Sequence, residues 1–366
     1  MTTAAPLDTP DLDALTRCVV ALHERGDFIH DPSPSVVALD DEGNPFVPAS
    51  ELEKRSQSQV PRLAVGQLWS LVHGLSPRRL LRLGEAYCRL RDTEIDLEEA
   101  LVEHAAVERE RCFHTNRDFK TMQLGGLTWH VRRALLQDAH LPILEAPDAY
   151  LEDEEGLLKS GRGTTLALTP GRSVLKRFNL KKKRNILKHR FAATRARSAF
   201  QKAYALEIMG IRTPRAVAFA DRSTLGLIHS SYLLVEEVPE VMEGGEALRQ
   251  WNGSNAPHRR RALSGAGSLI GRLHGAGFAN RDLKSSNLLA TTEGEIWLID
   301  LDGVEHVKRI NEEVRIKNLR RMVRDLPVYG ELTVKDRLRF LRSYTRAARA
   351  GSAKEIFRKL AAEPLP

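Results

Sequence analysis

The clearest pattern of apolar and polar positions lies near residue 290. Two short apolar runs, Leu288–Leu289 and Ile296–Ile299, flank a polar turn sequence that contains a glycine. This pattern predicts a β-hairpin. Because antiparallel pairing brings the open ends of a hairpin together, we expect Asn287 and Asp300 to lie side by side, with Asp282 on the loop that leads into the first strand.

These three polar side chains suggest a specific chemistry. Phosphoryl transfer from Mg-ATP requires oxygen ligands for hard Mg²⁺ and a carboxylate base aimed at the acceptor hydroxyl. The alternative is an ordinary hairpin with polar ends, which any one of these residues alone would fit. Arg281 and Lys284 are interleaved with them at this spacing, so the pattern favours a kinase.

Apolar spacing upstream of the hairpin predicts the elements around it. Residues 259–277 carry apolar side chains at helical spacing and end in glycines, which predicts a helix with His274 at its packed end. Residues 231–238 predict a buried strand that runs into a polar break. In a two-lobed kinase this strand would enter the adenine-binding hinge, so the backbone groups of Glu236 and Val238 are the candidate adenine contacts.

Residues 157–178 predict three strands, with a glycine turn between the first two and a lysine in the third. Gly161, Gly163 and Thr164 form the candidate phosphate loop, because glycine lets the backbone approach phosphates closely. Lys176 would supply a positive charge for the same phosphates. Taken alone, such glycines are usually a turn and such a lysine is usually a surface residue. Lys176 shares a strand face with Val174, and that face could equally be the core face.

Composition restricts the class of protein. The chain has 366 residues, of which 42% are hydrophobic and 28% charged, as in a globular protein of one large domain or two ordinary ones. The three cysteines show no metal-ligand or redox spacing, which favours a reducing cytoplasm. We expect neither a signal peptide nor a membrane span, because the N-terminus has no basic head followed by an apolar segment and no long apolar run occurs.

Positive charge is concentrated in one stretch of the chain. Eleven Lys or Arg and no Asp or Glu occur from Lys176 to Lys202, and the stretch Lys181–Arg197 is its centre. A solvated basic helix is one interpretation. The other is a surface that faces anionic lipid head groups or a phosphorylated glycan. Specific nucleic-acid binding is not expected, because no recognition motif accompanies the charge.

Two further motifs narrow the chemistry. Asp300-Leu301-Asp302 closes the hairpin, and Gly210-Ile211-Arg212-Thr213-Pro214-Arg215 precedes a predicted strand. With these motifs, the segment Gly156–Tyr344 resembles the protein-kinase-like superfamily, and within it the bacterial lipopolysaccharide-core kinases that phosphorylate heptose or Kdo sugars. That branch has Asp-Phe-Asp where protein kinases have Asp-Phe-Gly. No peptide-docking Ala-Pro-Glu segment follows here.

The resemblance implies a role for each candidate residue. It implies that Asp282 is the catalytic base, Lys284 a γ-phosphate contact, Asn287 and Asp300 the Mg²⁺ ligands, and Lys176 the lysine of the α- and β-phosphates. It also implies ATP and Mg²⁺ as cofactors and an anionic glycolipid or sugar-phosphate acceptor. The expected location is cytoplasmic, with a peripheral contact to the inner face of the cytoplasmic membrane through Lys181–Arg197.

The sequence departs from the family pattern at two positions. Asn280 stands where the family has His. The glutamate that should pair with Lys176 is not evident, since Gln201 occupies the expected place and Glu207 is the only acid in the predicted helix 195–209. Two other functions therefore stay open: a protein Ser/Thr kinase, and a non-catalytic pseudokinase scaffold.

The N-terminal third predicts a repeat of the kinase C-terminal lobe. At an offset of 251, residues 22–26 match 273–277 and Asp31 matches Asp282, and residues 75–87 match 332–344 after a small length difference. The chemistry is not preserved, because Val36 and Ala49 occupy the positions of the two metal ligands. Coincidence between two helix–hairpin–helix segments is the alternative.

These observations predict an α+β chain with a two-lobed protein-kinase-like fold, preceded by a degenerate, mostly helical segment like a kinase C-lobe. The predicted domains are a remnant C-lobe (1–95), a helical connector with an amphipathic helix over 127–144 (96–150), a kinase N-lobe (151–238) and a kinase C-lobe (239–366). The sequence carries no signal for the oligomeric state.

Overall fold

The fold was analysed in a computed structural model, which describes residues 11–55, 61–72, 75, 77–179, 193–224, 227–251, 256–307, 310–324 and 332–362. The chain divides into two compact units. Met1–Thr121, with Arg132–Ala134 and Ile208–Gly210, forms the first, and the remaining residues form the second. Among the described residues, no helix combines the length and the apolar character needed to cross a bilayer.

The first unit is mainly helical, with two short antiparallel strand pairs, β1–β4 and β2–β3. Its helices bury an apolar core that includes Leu15, Val65, Leu68 and Tyr87. The Asp96 side chain accepts from two backbone amides at the start of the last helix and caps it. The elements are α1 (Asp11–Glu24), β1 (Asp27–Ile29), β2 (Ala38–Leu39), β3 (Pro45–Phe46), β4 (Leu52–Lys54), α2 (Pro61–Ser70), α3 (Pro77–Leu90) and α4 (Leu97–Arg111).

A seven-stranded sheet in the order β5-β6-β10-β11-β9-β8-β7 forms the N-lobe of the kinase-like fold. The three strands predicted over 157–178 and the strand predicted over 231–238 are confirmed. So is the helix predicted over 195–209, which begins at Arg195. The elements are β5 (Phe119–Leu124), β6 (Leu127–Arg132), α5 (Leu141–Glu145), α6 (Pro147–Glu152), β7 (Leu157–Ser160), β8 (Thr164–Thr169), β9 (Ser173–Asn179), α7 (Arg195–Ile208), β10 (Ala216–Thr224) and β11 (Leu227–Glu236).

The helix predicted over 127–144 is wrong. Residues 127–132 form β6, and the sheet starts well upstream of residue 151. Leu127, Trp129 and Val131 are buried, whereas Thr128 is exposed and His130 is half-buried. This is the two-residue period of a strand, which apolar composition alone did not separate from a helical face. The Trp129 indole N–H donates to the Leu144 carbonyl at 3.0 Å and fixes the following segment over the sheet.

The two faces of β9 have different surroundings. Leu175 is fully buried in the core cluster that also contains Trp129 and Tyr232. Val174 and Lys176 point to the opposite face and are only partly buried. Val174 and Lys176 therefore lie on the face of β9 that is turned away from this core, so the alternative of a core-facing Lys176 is wrong.

The C-lobe places helices around the predicted hairpin, which is confirmed as β14 paired with β15. A second short pair, β13 with β16, flanks it. The elements are β12 (Val241–Glu243), α8 (Gly244–Gln250), α9 (Ala256–Gly275), β13 (Phe278–Asn280), β14 (Leu288–Thr291), β15 (Ile296–Leu298), β16 (Val304–His306), α10 (Glu312–Arg324), α11 (Val334–Ala348) and α12 (Ala353–Ala362).

Helices α9 and α11 approach each other closely, because glycines line the contact. A Cβ atom placed on Gly271 would lie 2.5 Å from the Tyr344 carbonyl oxygen. No side chain can occupy that space without moving a backbone. At the end of α9, His274 is buried and hydrogen-bonds the Tyr344 hydroxyl at 2.8 Å, so it packs the lobe as expected. The base of the candidate site therefore rests on a tightly packed helix pair.

Candidate active site

The hairpin brings its two polar ends together, as the sequence predicts. Leu288 pairs with Leu298, and the Ile299 amide donates to the Asn287 carbonyl at 2.9 Å. This hydrogen bond ties the residue before Asp300 directly to Asn287. The two predicted metal ligands therefore emerge from adjacent strand ends.

The loop that carries Asp282 is held by hydrogen bonds at both ends. The Asn280 side-chain oxygen accepts from the Asp282 amide at 2.9 Å, and the Asn287 side-chain nitrogen donates to the Asp282 carbonyl at 2.7 Å. A Cβ on Gly303 would lie 2.6 Å from the Asn280 side-chain oxygen, so this position needs glycine. Asn280, which stands where the family has His, is fully buried and orients the loop.

Asp282 and Lys284 are in direct contact. The Lys284 ammonium lies 2.8 Å and 2.9 Å from the two carboxylate oxygens of Asp282. Both side chains are partly exposed, which leaves room for an acceptor to approach the carboxylate. The structure thus places the two predicted catalytic residues in one pair at the mouth of the loop.

Asp300 has a strained backbone and a paired carboxylate. Its φ of 56° lies in the left-handed region, which non-glycine residues rarely adopt and which is concentrated at functional sites. Lys176 donates to its side-chain oxygen at 3.1 Å. Burial opposes ionisation of Asp300, but the Lys176 charge outweighs it and holds the pKa of this carboxyl below its ordinary value. Asp300 is therefore available as an anionic ligand.

The ion pair of Lys176 is with Asp300 and not with a residue of α7. The Lys176 ammonium also lies 4.7 Å from the centre of the Phe178 ring. Two cations of α7 contact the neighbouring segment instead. Arg195 pairs with Asp302, and Lys202 donates to the Leu301 carbonyl at 3.2 Å.

The glycine turn between β7 and β8 lies where the sequence predicts it. The Thr164 amide donates to the Gly161 carbonyl at 3.3 Å, so that amide closes the turn and is not free for a phosphate. The Gly163 carbonyl accepts from Arg195 at 3.0 Å. Among the three predicted loop residues, the amides of Gly161 and Gly163 are the better candidates for a phosphate contact.

The predicted adenine contacts differ in availability. The Glu236 amide donates to the Arg215 carbonyl at 2.9 Å, and its carboxylate forms a forked pair with the Arg215 guanidinium. The amide donor of Glu236 is therefore already used. Val238 is buried just beyond the end of β11, and its backbone groups are the better candidates.

The donor set fits Mg²⁺. Among the described residues, no group of three or more His, Cys, Asp or Glu side chains could hold a metal ion. Mg²⁺ is usually bound by one or two protein oxygens together with substrate phosphates and waters. Asp300 and the amide oxygen of Asn287 are such a pair, because the Asn287 nitrogen is taken by the Asp282 carbonyl.

Three residues of this region were missed as site residues: Arg195, Lys202 and Phe178. In the sequence Arg195 is only a member of the basic stretch Lys181–Arg197, of which residues 181–192 lie outside the described residues. Its partners are Asp302 and Gly163, which are distant in sequence. The acidic third position of Asp300-Leu301-Asp302 is the local signal in the sequence, and it does not indicate which cation binds it.

The first unit holds a different arrangement around Asp31. Arg111 and Arg117 both pair with this carboxylate, and Arg111 also pairs with Glu108 at 2.7 Å. An open cleft of about 730 Å³ lies beside them, lined by His30, Asp31, Ser35, Thr115, Asn116, Arg117 and Arg133. Guanidinium groups thus compensate the carboxylate that stands at the position of Asp282.

Comparison with known proteins places this site in one family. The model of the lipopolysaccharide kinase (Kdo/WaaP) family matches residues 160–344. The chain is 27% identical over 172 residues to the lipopolysaccharide core heptose(I) kinase WaaP of Pseudomonas aeruginosa, which covers 44% of this chain and 64% of that protein. It is 33% identical over 166 residues to a 3-deoxy-D-manno-octulosonic acid kinase of Stenotrophomonas maltophilia, covering 43% and 63%.

The match thus spans slightly less than two thirds of each of these relatives. Among solved structures, WaaP in complex with acyl carrier protein is similar with a TM-score of 0.41 and 22% identity, over 56% of this chain and 83% of that chain. The fold described above rests on the elements of this chain and on the family match.

Proposed function

This chain belongs to the lipopolysaccharide kinase (Kdo/WaaP) family, and on that premise we propose that it is an ATP-dependent kinase. Its acceptor is a sugar hydroxyl of a lipopolysaccharide core or of a related envelope glycolipid. The single observation that supports this most is the hairpin end. There Asn287 hydrogen-bonds the Asp282 carbonyl and accepts from the amide of Ile299, the residue before Asp300, and Lys176 pairs with Asp300.

Each residue of the site has a role that follows from its contacts. Asp282 accepts the proton of the acceptor hydroxyl, and the hydrogen bonds from Asn280 and Asn287 hold its loop in place. Lys284, 2.8 Å from that carboxylate, is positioned to neutralise charge on the transferring phosphoryl group. Asn287 and Asp300 would hold Mg²⁺, which when bound neutralises charge on the phosphates of ATP.

Lys176 and the N-lobe turn complete the nucleotide site. Lys176 is 14% exposed at its side chain and lies on the open face of the sheet, where it can contact the α- and β-phosphates. The amides of Gly161 and Gly163 are the proposed backbone contacts to phosphate, and Val238 is the proposed contact to adenine. Positioning of this kind supplies most of the catalysis in phosphoryl transfer.

The acceptor and its location are proposed from the family and from charge. The two curated relatives are named as kinases of lipopolysaccharide core heptose and of 3-deoxy-D-manno-octulosonic acid. Both names indicate kinases of a sugar, and the first name places that sugar in lipopolysaccharide core. The basic stretch Lys181–Arg197 would attract such an acceptor at the cytoplasmic face of the membrane.

The first experiment compares Mg-ATP binding and slow ATP hydrolysis by the wild-type chain with those of Asp300→Ala. We expect the wild type to bind Mg-ATP and hydrolyse it, and we expect the variant to lose turnover because it lacks an anionic Mg²⁺ ligand. A screen of lipopolysaccharide core acceptors with radiolabelled ATP then tests the substrate class. Absence of Mg-ATP binding by the wild type would support the scaffold interpretation, and phosphorylation of casein alone would support a protein kinase.

A further inference from the structure

Arg195, the first residue of α7, links three parts of the candidate site. Its Nε donates to the Asp302 side chain at 2.9 Å and a terminal nitrogen contacts the same oxygen. Its other terminal nitrogen donates to the Gly163 carbonyl at 3.0 Å. The guanidinium carbon also lies 4.6 Å from the centre of the Phe178 ring, which lies beside Lys176 as well. One side chain thus contacts the glycine turn, strand β9 and the Asp300-Leu301-Asp302 segment.

A second cation of α7 supports the same connection. Lys202, two turns along the helix, donates to the Leu301 carbonyl at 3.2 Å. Burial lowers the pKa of this ammonium below its ordinary value. In protein kinases, a glutamate of the corresponding helix pairs with the phosphate-binding lysine, and this pair must form for activity. In this chain two cations of α7, Arg195 and Lys202, contact the metal-binding segment, and Lys176 pairs with Asp300.

We propose that Arg195 is a positioning residue that couples the glycine turn to the metal-binding segment and so replaces the missing Lys–Glu pair. This inference rests on the proposed kinase function. Arginine suits the role because its planar fork can bind a carboxylate with two nitrogens, donate to a carbonyl with the third and stack on a ring. A lysine at this position lacks the planar fork and could not make all of these contacts together.

The contacts indicate a kinetic role and little structural contribution. The Arg195 side chain is 44% exposed, and exposed ion pairs contribute little to stability. Displacement of a phosphate-binding turn by about 1 Å can nevertheless lower a rate about 100-fold. Loss of Arg195 should therefore reduce turnover strongly and leave the thermal unfolding midpoint nearly unchanged.

The chain offers a closely matched control in Arg222. Its side chain is 39% exposed, it pairs with Asp148, and its guanidinium lies 5.0 Å from the centre of the Tyr232 ring. Like Arg195, it therefore pairs with a carboxylate and lies over an aromatic ring at a similar exposure. Within the described part of the chain, none of its contacts is with the glycine turn or with the segment 300–302.

The test measures the steady-state rate of Mg-ATP hydrolysis by the full chain for Arg195→Gln, Arg195→Lys, Asp302→Asn, the double variant Arg195→Gln/Asp302→Asn, and Arg222→Gln. We expect Arg195→Gln to lower kcat about 100-fold and Arg195→Lys to lower it less. The kcat of the double variant should equal that of Arg195→Gln, because both substitutions remove the same Arg195–Asp302 contact. Arg222→Gln should keep kcat within about twofold of the wild type. The unfolding midpoint of Arg195→Gln should stay within about 2 °C.

Hydrogen exchange of the nucleotide-free protein provides a readout independent of activity. Arg195→Gln should increase exchange in the turn 161–164 and in residues 301–303, whereas Arg222→Gln should leave both segments unchanged. Unchanged kcat in Arg195→Gln would overturn the inference. So would a loss of kcat that accompanies an equally large fall in the unfolding midpoint, since that result indicates a structural role. Absence of hydrolysis by the wild type would overturn the proposed function itself, and the exchange data would then show separately whether the coupling exists.

Discussion

Two regions of the molecule, residues 11–92 and 256–349, share their layout almost element for element. At the offset of 251, the strand β1 corresponds to β13 and the 3₁₀-helix of residues 34–36 corresponds to that of residues 285–287. Each region then has a short hairpin, a strand that pairs with the first one, and two helices. This correspondence supports the repeat that we proposed from the sequence, in which the first region is a degenerate copy of a kinase C-lobe.

The turns of the two regions also use the same backbone conformations. Gly26 and Gly277 follow the first helix with φ of 74° and 78°, and Gly43 and Gly294 occupy the hairpin turns with φ of 83° and 81°. Glycine adopts this region without steric cost. Both regions therefore have glycine at the turn positions where the backbone has a positive φ.

A buried polar group lies at the same place in each region. In the first, His23 hydrogen-bonds the Tyr87 hydroxyl at 2.7 Å and the Gln67 side chain at 3.0 Å. Gln67 also accepts from the Ile29 amide at 3.1 Å. The second region makes the same set of contacts through equivalent residues, with Asn replacing Gln: His274, Tyr344, Asn318 and the amide of Asn280. These contacts serve the packing of the lobe and are retained in both regions.

The regions differ at the positions that carry chemistry. Val36 is buried where the second region has Asn287, and Ala49 stands where it has the strained Asp300. Asp31 is retained, but Arg111 and Arg117 neutralise it. The hairpin and the buried His–Tyr contact are therefore present in both regions, whereas the predicted metal ligands are replaced at the corresponding positions of the first.

The largest difference is expected when the shared aspartate is changed in each region. Asp282→Asn should lower the rate of Mg-ATP-dependent phosphoryl transfer about 1,000-fold, because removal of a general base typically costs 10²–10⁴-fold. Asp31→Asn should leave that rate unchanged. It should instead lower the free energy of unfolding by about 1–3 kcal/mol, because the partly buried Arg111 and Arg117 lose a counter-charge.

Rate assays and urea titrations of both variants measure these two effects. Equal losses of activity in the two variants would contradict this expectation and show that the first region takes part in the chemistry.

A second difference lies in helix packing. At the offset of 251, Gly271 of α9 corresponds to Val20 of α1. In the variant Gly271→Val, the new side chain would collide with the Tyr344 backbone. We expect destabilisation of about 3 kcal/mol or more, because overpacking a rigid contact forces the backbone to move. Val20→Gly in the first region should cost about 2–3 kcal/mol by leaving a cavity and a flexible backbone.

Urea denaturation of both variants measures the difference, and the far-ultraviolet circular dichroism spectrum checks that each still folds. If Gly271→Val had the same free energy of unfolding as the wild type, α9 and α11 would be farther apart than the structure shows.

The sequence predicts the site better than the sheet, for a physical reason. Asp282, Asn287 and Asp300 lie at the ends of one hairpin and on the loop that leads into it, where local spacing determines proximity. The edge of the N-lobe sheet is different, because 127–132 pairs with β10 about ninety residues later and no local pattern encodes that pairing. The contacts of Arg195 with Gly163 and Asp302 are also non-local. The sequence therefore shows Arg195 only as one member of a basic stretch and does not predict its place in the site.

The smallest of the expected effects concerns the shared histidines. Burial lowers the pKa of both His23 and His274 to about 4, whereas in the unfolded chain the pKa is 6.5. Between pH 7 and pH 4 the unfolded state therefore binds protons that the native state does not. The free energy of unfolding must fall as the pH falls through this window, by about 2 kcal/mol for each histidine at pH 5.

Native-state hydrogen exchange of α1 and α9 at pH 7 and pH 5, after correction for the intrinsic exchange rate, measures this loss in each region separately. His23→Gln keeps hydrogen-bonding groups at the position but cannot titrate, so it should remove the pH dependence from α1 and leave that of α9 intact. If α9 lost its dependence as well, the two units would unfold together. An unchanged dependence of α1 would mean that another group titrates there. Because both histidines make equivalent hydrogen bonds and burial lowers the pKa of both to about 4, similar slopes in the wild type are the expected result.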